Sequence, residues 1–266
     1  MKKTLNKKKI ALASNSLLLA ATLAGGVLAI PVSAASYDHT YNLDVSKQFQ
    51  EFDGWGLSLS WWATEIGDWT RVGSSGLTKR EEIMEAIYGK SGLNLNIARY
   101  NVGGGDDPTH THMTGDRNTP GWKGATKLAE DQELPEGTKT YTGAAGAGQG
   151  VTYIPNDKYF YEAEDGSTLP WQETPDWKQL WVLDWLQNYR QSEGDLLTEY
   201  YSNSPPYWLT RSGCSSGAPD GDKSGNLIND EAHNKEFVKY LLDVYEYLVG
   251  QGFQLDNIHP ITQSTN

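Results

Sequence analysis

The chain has 266 residues, with 22 lysines and arginines against 34 acids and a formal net charge of −12. That length holds one medium domain or most of a larger one, and the acid excess argues against a polyanionic partner such as nucleic acid. Cys214 is the one cysteine, so no disulfide can form within the chain and stability must come from a sizeable core.

Lys2, Lys3, Lys7, Lys8 and Lys9 form a positive start, an apolar run follows to Val32, and Val32-Ser33-Ala34 suits the small-residue rule for leader cleavage. Residues 1–34 therefore read as a secretory signal peptide, and the remaining protein as secreted, with no stable membrane insertion after cleavage. An uncleaved anchor is the competing reading; Ser14, Asn15 and Ser16 inside the run and the cleavage site after it favour the signal. Without this leader the chain keeps 17 basic residues against 34 acids, a net charge of −17. An uncharged partner suits that surface. All ten tryptophans and fifteen tyrosines lie after the leader; such a supply permits sugar stacking, but core packing uses aromatics too.

Residues 35–51 read as an extended lead-in, and 52–60 as a first strand whose glycines allow close backbone approach. Thr78-Lys79-Arg80-Glu81 is a capping box opening a helix that ends near Gly89. Residues 92–100 give a second strand. From Val102 to Glu173 the chain is rich in Gly, Thr, Pro and Asp and reads as a long irregular stretch. Thr174-Pro175 then opens a helix on which Trp177, Trp181 and Trp185 recur every four residues, a spacing that reads as a core-facing stripe. A third strand spans 196–203, and Pro205-Pro206 takes the chain out of the sheet. A helix over 232–249 carries Phe237, Leu241, Leu242, Tyr245 and Leu248, and 253–258 is a fourth strand. Strands alternating with helices imply parallel βαβ units. Four such units, the last without its helix, amount to half of the eight in a (β/α)8 barrel.

Four stretches in this order resemble family 30 glycoside hydrolases. They are Phe52-Asp53-Gly54-Trp55-Gly56 with Ser60-Trp61-Trp62-Ala63; Gly92-Leu93-Asn94-Leu95-Asn96-Ile97-Ala98-Arg99-Tyr100 running into Gly103-Gly104-Gly105; Ser202-Asn203-Ser204-Pro205-Pro206-Tyr207-Trp208; and Phe253-Gln254-Leu255-Asp256-Asn257-Ile258-His259-Pro260. The Ser60-Trp61-Trp62-Ala63 and Ser202-Asn203-Ser204-Pro205-Pro206-Tyr207-Trp208 pieces look most like the endo-β-1,6-galactanase and galactobiohydrolase branch. The resemblance implies an α/β fold, the N-terminal half of a (β/α)8 TIM barrel with long βα loops, with or without part of a side β-domain. It covers 35–266 as a truncated catalytic barrel of about four βα units. The implied chemistry is retaining hydrolysis of β-galactan-like poly- or oligosaccharide, with no cofactor.

The resemblance also implies two catalytic glutamates, the acid/base in an Asn-Glu-Pro motif after the fourth strand and the nucleophile after the seventh. Here Thr262-Gln263-Ser264 stands where that motif is expected. No catalytic residue is therefore expected in this chain: Gln263 occupies the acid/base place and the nucleophile falls beyond it. Because retaining hydrolysis needs two carboxyls ~5–5.5 Å apart, the chain alone is expected to be inactive. Two further readings stand beside this one, a non-catalytic sugar-binding half-barrel and a pseudogene fragment.

Substrate-binding residues follow from the same resemblance. Arg99 matches the active-site arginine, with a structural ion pair as its alternative. Asp106 falls where relatives hold sugar hydroxyls, and Asp107 beside it shares or takes that role; a solvated acidic loop tip is the alternative. Trp61 or Trp62 would wall the cleaved-sugar subsite, Asn203 suits a galactose hydroxyl and Trp208 suits stacking, each aromatic being equally suited to the core. Metal binding is not expected. His110-Thr111-His112 lacks a third ligand. Asp220 to Glu231 has calcium-loop spacing, but Ser215-Ser216-Gly217-Ala218-Pro219 before it cannot form the entering helix.

Overall fold

The computed structural model describes residues 44, 46–47, 49–107, 119–129, 131–142, 151–190, 195–215 and 227–260. The chain divides into two compact units, Met1–Glu51 and Phe52–Asn266. In the first, Lys47 N donates to the Asp44 carbonyl (3.1 Å) and Ser46 caps the Asp44 carboxylate, a local turn. The expected leader, His110, His112, Gln263 and most of the Asp220–Glu231 loop lie outside the described residues.

Among the described residues every regular element belongs to the second unit. They run β1 (Gly56–Ser58), α1 (Trp62–Ile66), α2 (Lys79–Tyr88), β2 (Ile97–Asn101), β3 (Ala125–Lys127), β4 (Tyr141–Thr142), β5 (Thr152–Pro155), α3 (Trp177–Arg190), β6 (Leu197–Tyr201), α4 (Glu231–Gly250) and β7 (Asn257–His259). Short 3-10 turns at Trp171–Glu173 and Tyr207–Leu209 complete the list. Strands β1-β2-β6-β7 form a parallel sheet in chain order, with Ser58 level with Arg99, Arg99 with Glu199, and Glu199 with Asn257. A parallel sheet wound in one direction places its crossover helices on one side.

The alternation along the strands agrees. Ala98, Tyr100, Thr198 and Tyr200 point toward the helices and are buried; the Tyr200 hydroxyl donates to the Leu241 carbonyl on α4 (2.6 Å) and Tyr100 donates to Asp176 ahead of α3 (2.6 Å). Arg99, Asn101, Glu199 and Tyr201 take the other face. The helices close the core with Met84, Leu180, Leu183, Leu186, Val244 and Leu248, all fully buried; each contributes ~1.5–3 kcal/mol by leaving water.

Helix α2 starts on the expected capping box: Thr78 Oγ1 accepts from Glu81 N (3.4 Å), and Glu81 accepts from Thr78 N (2.7 Å). Asp230 caps α4 by accepting from His233 N (2.9 Å). Helices α1 and α3 meet closely at Gly67, where a Cβ would lie 2.5 Å from Lys178 Cβ and 2.6 Å from its backbone.

Four expectations change. The stretch from 102 to 173 is not wholly irregular: β3, β5 and β4 form an antiparallel sheet, in that order, inserted between β2 and α3. Its strands are two to four residues long, too short to show a periodic signal among glycines. On α3 the deepest side chains are Leu180, Val182, Leu183 and Leu186. The tryptophan stripe packs half-buried beside them, with Arg80 over Trp181 at 3.7 Å and Trp185 stacked on Tyr189 at 4.7 Å. On α4 the buried stripe is Phe237, Tyr240, Leu241, Val244, Tyr247 and Leu248, while Leu242 is half exposed. The strands are shorter than the apolar runs suggest, because Phe52 and Trp55 lie exposed before β1 rather than in it.

Candidate functional site

The inner face of the parallel sheet, away from the helices, is polar. Its middle row is Ser58, Arg99, Glu199 and Asn257, and the next row toward the carboxyl edge includes Asn101, Tyr201 and His259. Ligands of open and closed parallel α/β sheets bind at this edge, where the loops leave the strands.

Arg99 Nε donates to Glu199 Oε2 at 2.5 Å, and the guanidinium lies over the Tyr201 ring at 4.2 Å. His259 Nδ1 is 3.6 Å from the same Glu199 oxygen. The Tyr201 hydroxyl bonds Ser60 Oγ (2.9 Å) and Ser58 Oγ. The arginine is therefore held from two sides, with a planar donor group still partly open to solvent. Glu199, Tyr201, Ser58 and Asn101 were not singled out from the sequence. A charged residue between Thr198 and Tyr200 was the available signal; its register with Arg99 comes only from the pairing of β2 with β6.

Trp62 Nε1 donates to the Ser58 carbonyl (2.7 Å), fixing a half-buried ring at the edge, while Trp61 is 42% exposed and follows a cis Ser60–Trp61 peptide. Of the pair, Trp61 is the one with an open face. Asn203 N donates to Asn101 Oδ1 (2.9 Å), which brings Asn203 to the edge beside β2.

The glycines 103–105 let two loops touch. Tyr207 N donates to the Gly104 carbonyl (3.2 Å), and a Cβ on Gly104 would meet the Pro205 carbonyl oxygen at 2.3 Å. Gly105 has φ +64 and its carbonyl accepts from Ser215 Oγ (2.6 Å). This contact sets Asp106 and Asp107. Asp107 is 1% exposed and accepts from the Tyr153 hydroxyl on β5 (2.6 Å), so it is no solvated loop tip. Asp106 is half-buried and accepts from Asp107 N (3.1 Å). Burial raises the Tyr153 hydroxyl well above its usual range, reinforced by Asp107.

Trp208 is placed away from any open face. It is 1% exposed, donates weakly to the Lys123 carbonyl (3.4 Å) and packs against Tyr141 at 5.6 Å. Its neighbour Tyr207 is clamped by the Ala125 backbone, donating and accepting at 2.8 Å, and burial pushes its hydroxyl up to about 12. The Ser-Pro-Pro-Tyr-Trp segment thus seats the antiparallel sheet on the edge of the parallel one. Cys214 is fully buried, and burial, helped by Asp106, lifts its thiol to about 11, which leaves it unreactive. Among the described residues no group of three or more His, Cys, Asp or Glu is arranged to hold a metal.

No protein-family model matches the chain. Among curated proteins it is similar to the exo-beta-1,6-galactobiohydrolase of Bifidobacterium longum subsp. longum, 28% identical over 281 aligned positions that cover 94% of this chain and 17% of the relative. It is also similar to the endo-beta-1,6-galactanase of Hypocrea rufa, 23% identical over 83% of this chain and 38% of that one. The chain thus spans less than half the length of either curated relative. A conserved exported protein of Bacteroides fragilis aligns in structure over 82% of this chain and 35% of its own, at 18% identity and a TM-score of 0.48. The two curated relatives bear out the resemblance to the β-1,6-galactan-cleaving branch.

Proposed function

We propose that this chain supplies the amino-terminal half of a retaining β-1,6-galactan hydrolase, family 30 in kind, and holds galactose units along the carboxyl edge of its parallel sheet. The observation that carries the reading is the Arg99–Glu199 pair, set in a polar row on the inner face and bordered by the exposed Trp61. Neutral sugars call for such a surface: fixed donors and acceptors for hydroxyls, with an aromatic face for the ring.

Each retained group has a physical role. Arg99, oriented by Glu199 and Tyr201, donates toward ligand or toward a carboxylate completing the site. Trp61 offers its ring to the sugar nearest the cleaved bond, and Asn203 meets a galactose hydroxyl. Asp106 takes sugar hydroxyls from the Gly103–Gly105 turn, while Asp107 fixes that turn through Tyr153. Glu199 positions the arginine, its Oε2 accepting from Arg99 Nε. The double displacement needs a nucleophile and an acid/base at ~5–5.5 Å. The run that resembles the family's fourth strand leads into Thr262-Gln263-Ser264 in place of the acid/base motif, and binding without turnover is the expected behaviour. Residues 1–34 direct export and are removed.

The test is direct. The mature chain, without residues 1–34, is titrated with β-1,6-galacto-oligosaccharides by calorimetry, and products are sought by chromatography. Binding without galactose release is expected, with Arg99→Lys weakening it about tenfold, since lysine cannot reproduce the oriented planar donor. Turnover by the purified chain would refute the missing pair; absence of any galactan affinity would refute the substrate.

A further inference from the structure

Tyr201 stands in the middle of the polar inner face and yet is 2% exposed. Its ring is covered by the groups it supports, so it is no platform for a sugar. Its hydroxyl partners lie on a different strand. Tyr201 ends β6, while Ser58 ends β1 and Ser60 follows two residues later; the Tyr201 hydroxyl bonds both, Ser60 Oγ at 2.9 Å. Strands β1 and β6 do not pair, because β2 lies between them. The side chain therefore bridges two strand spacings, ~9–10 Å. On the way its ring passes under the guanidinium of Arg99, the β2 residue between, at 4.2 Å.

The three hydroxyls close a small ring. Ser58 Oγ and Ser60 Oγ are 3.5 Å apart, and each also reaches Tyr201. A hydroxyl offers one donor and two acceptor sites, so three of them can satisfy one another in a cycle in which each bond polarises the next. Chain order decides what this cycle holds. Ser60 is joined directly to Trp61, and Trp61 is fixed from its other side by Thr64 Oγ1, which donates to the Trp61 carbonyl (2.5 Å). Leu59 N donates to the Arg99 carbonyl (2.9 Å), tying the same corner to the backbone of β2. One tyrosine thus carries the arginine on its ring and the backbone of the exposed tryptophan through its hydroxyl.

We infer that Tyr201 is the positioning residue that holds Arg99 and Trp61 in one fixed relation, so that the polar and the stacking parts of the edge act on a ligand as a unit. The labour divides by atom. The ring acts through Arg99; the hydroxyl acts through Ser60 on Trp61. A donor and an aromatic wall preset at one spacing spare the ligand the cost of ordering each side chain on binding. That galactan is the ligand rests on the proposed function; the coupling of the two groups does not.

The experiment labels the mature chain, without residues 1–34, with 5-fluorotryptophan and assigns the Trp61 fluorine resonance by its loss in Trp61→Ala. Tyr201→Phe keeps the ring under Arg99 and removes only the hydroxyl. Ser60→Ala cuts the same link from its other end, so the outcome does not hang on one variant folding. The expected result is a moved Trp61 resonance in both variants, while distant tryptophans such as Trp171 and Trp208 keep theirs. Affinity for β-1,6-galactotetraose should fall about fivefold in either variant, and Tyr201→Phe should cost nothing further in a Trp61→Ala background. An unmoved Trp61 resonance in both variants would overturn the inference. So would a shift shared by the distant tryptophans, or a Tyr201→Phe loss of equal size with and without Trp61. A moved Trp61 resonance in a protein without affinity for the sugar leaves the coupling standing and refutes the galactan reading.

Discussion

Asp176 is a carboxyl at a place that disfavours its charge, and replacing it should reshape the pH dependence of stability. The side chain is 1% exposed, and Oδ2 accepts from the Tyr100 hydroxyl (2.6 Å) and Gln179 Nε2 (2.8 Å) while Oδ1 has no partner. Burial raises its pKa from 3.8 to about 7, against the pull of those two bonds. A folded pKa above the unfolded one means that folding takes up a proton between those values. The stabilising contribution is complete below the unfolded pKa and is lost as pH rises through about 7. The gap corresponds to ~4 kcal/mol between acid and mildly alkaline solution, or ~1.4 kcal/mol per pH unit within the window.

In Asp176→Asn, the amide oxygen can keep both bonds and the amide nitrogen replaces the orphaned oxygen. At about pH 4 the two proteins should be equally stable, since each buries one unpaired neutral group. At about pH 8 the variant should be more stable by ~2–4 kcal/mol. Urea denaturation across this range reads the difference directly. Parallel curves for parent and variant would show that Asp176 is not protonated on folding.

Three further outcomes follow from the packing. Arg190, 3% exposed, donates to Asp195, to the Tyr88 carbonyl and to Asn94, so Arg190→Met should cost ~3 kcal/mol in the same assay; an unchanged midpoint would mean that this hub is dispensable. Gly104→Ala drives a Cβ against the Pro205 carbonyl and should cost ~1–3 kcal/mol while weakening oligosaccharide binding, measured by thermal melts and calorimetry. Thr78→Ala removes half of the capping box and should cost ~1 kcal/mol at unchanged denaturant slope, with no effect on binding.

What the sequence made legible was whatever rests on local chemistry or on long periodic runs. The Thr78–Glu81 box, the stop at Gly89, the exit at Pro205-Pro206 and the order of four parallel strands are of this kind. The antiparallel sheet escaped because Tyr141–Thr142 and Thr152–Pro155 hold too few residues to display alternation. The orientation of α3 and α4 was only half readable. Tryptophans at every fourth position and leucines at a neighbouring angle give two overlapping stripes, and tertiary packing decides which goes deepest. At the site, Arg99 was marked by its motif, but Glu199 required knowing that β2 and β6 pair in the register that sets the two side by side. Trp208 shows the converse: a motif position alone did not reveal that its ring sits against Tyr141.

The two faces of the sheet are coupled through one amide, and this gives the last prediction. Gln179 Oε1 accepts from Asn101 N (3.1 Å), and its two Nε2 hydrogens go one to the Asn101 carbonyl (3.0 Å) and one to Asp176. Asn101 Oδ1 in turn accepts from Asn203 N at the carboxyl edge. When Asp176 ionises, the Nε2 hydrogen it accepts forms a charge-assisted bond, roughly twice as strong as a neutral one, and draws the amide toward the carboxylate. The second Nε2 hydrogen is thereby pulled off line from the Asn101 carbonyl, and the edge that positions Asn203 loosens. Oligosaccharide affinity should therefore fall about threefold as pH passes through about 7, and Asp176→Asn should abolish that component. Comparing variant with parent cancels every other titrating group. Identical pH profiles for the two proteins would show that the buried acid and the sugar edge are energetically independent.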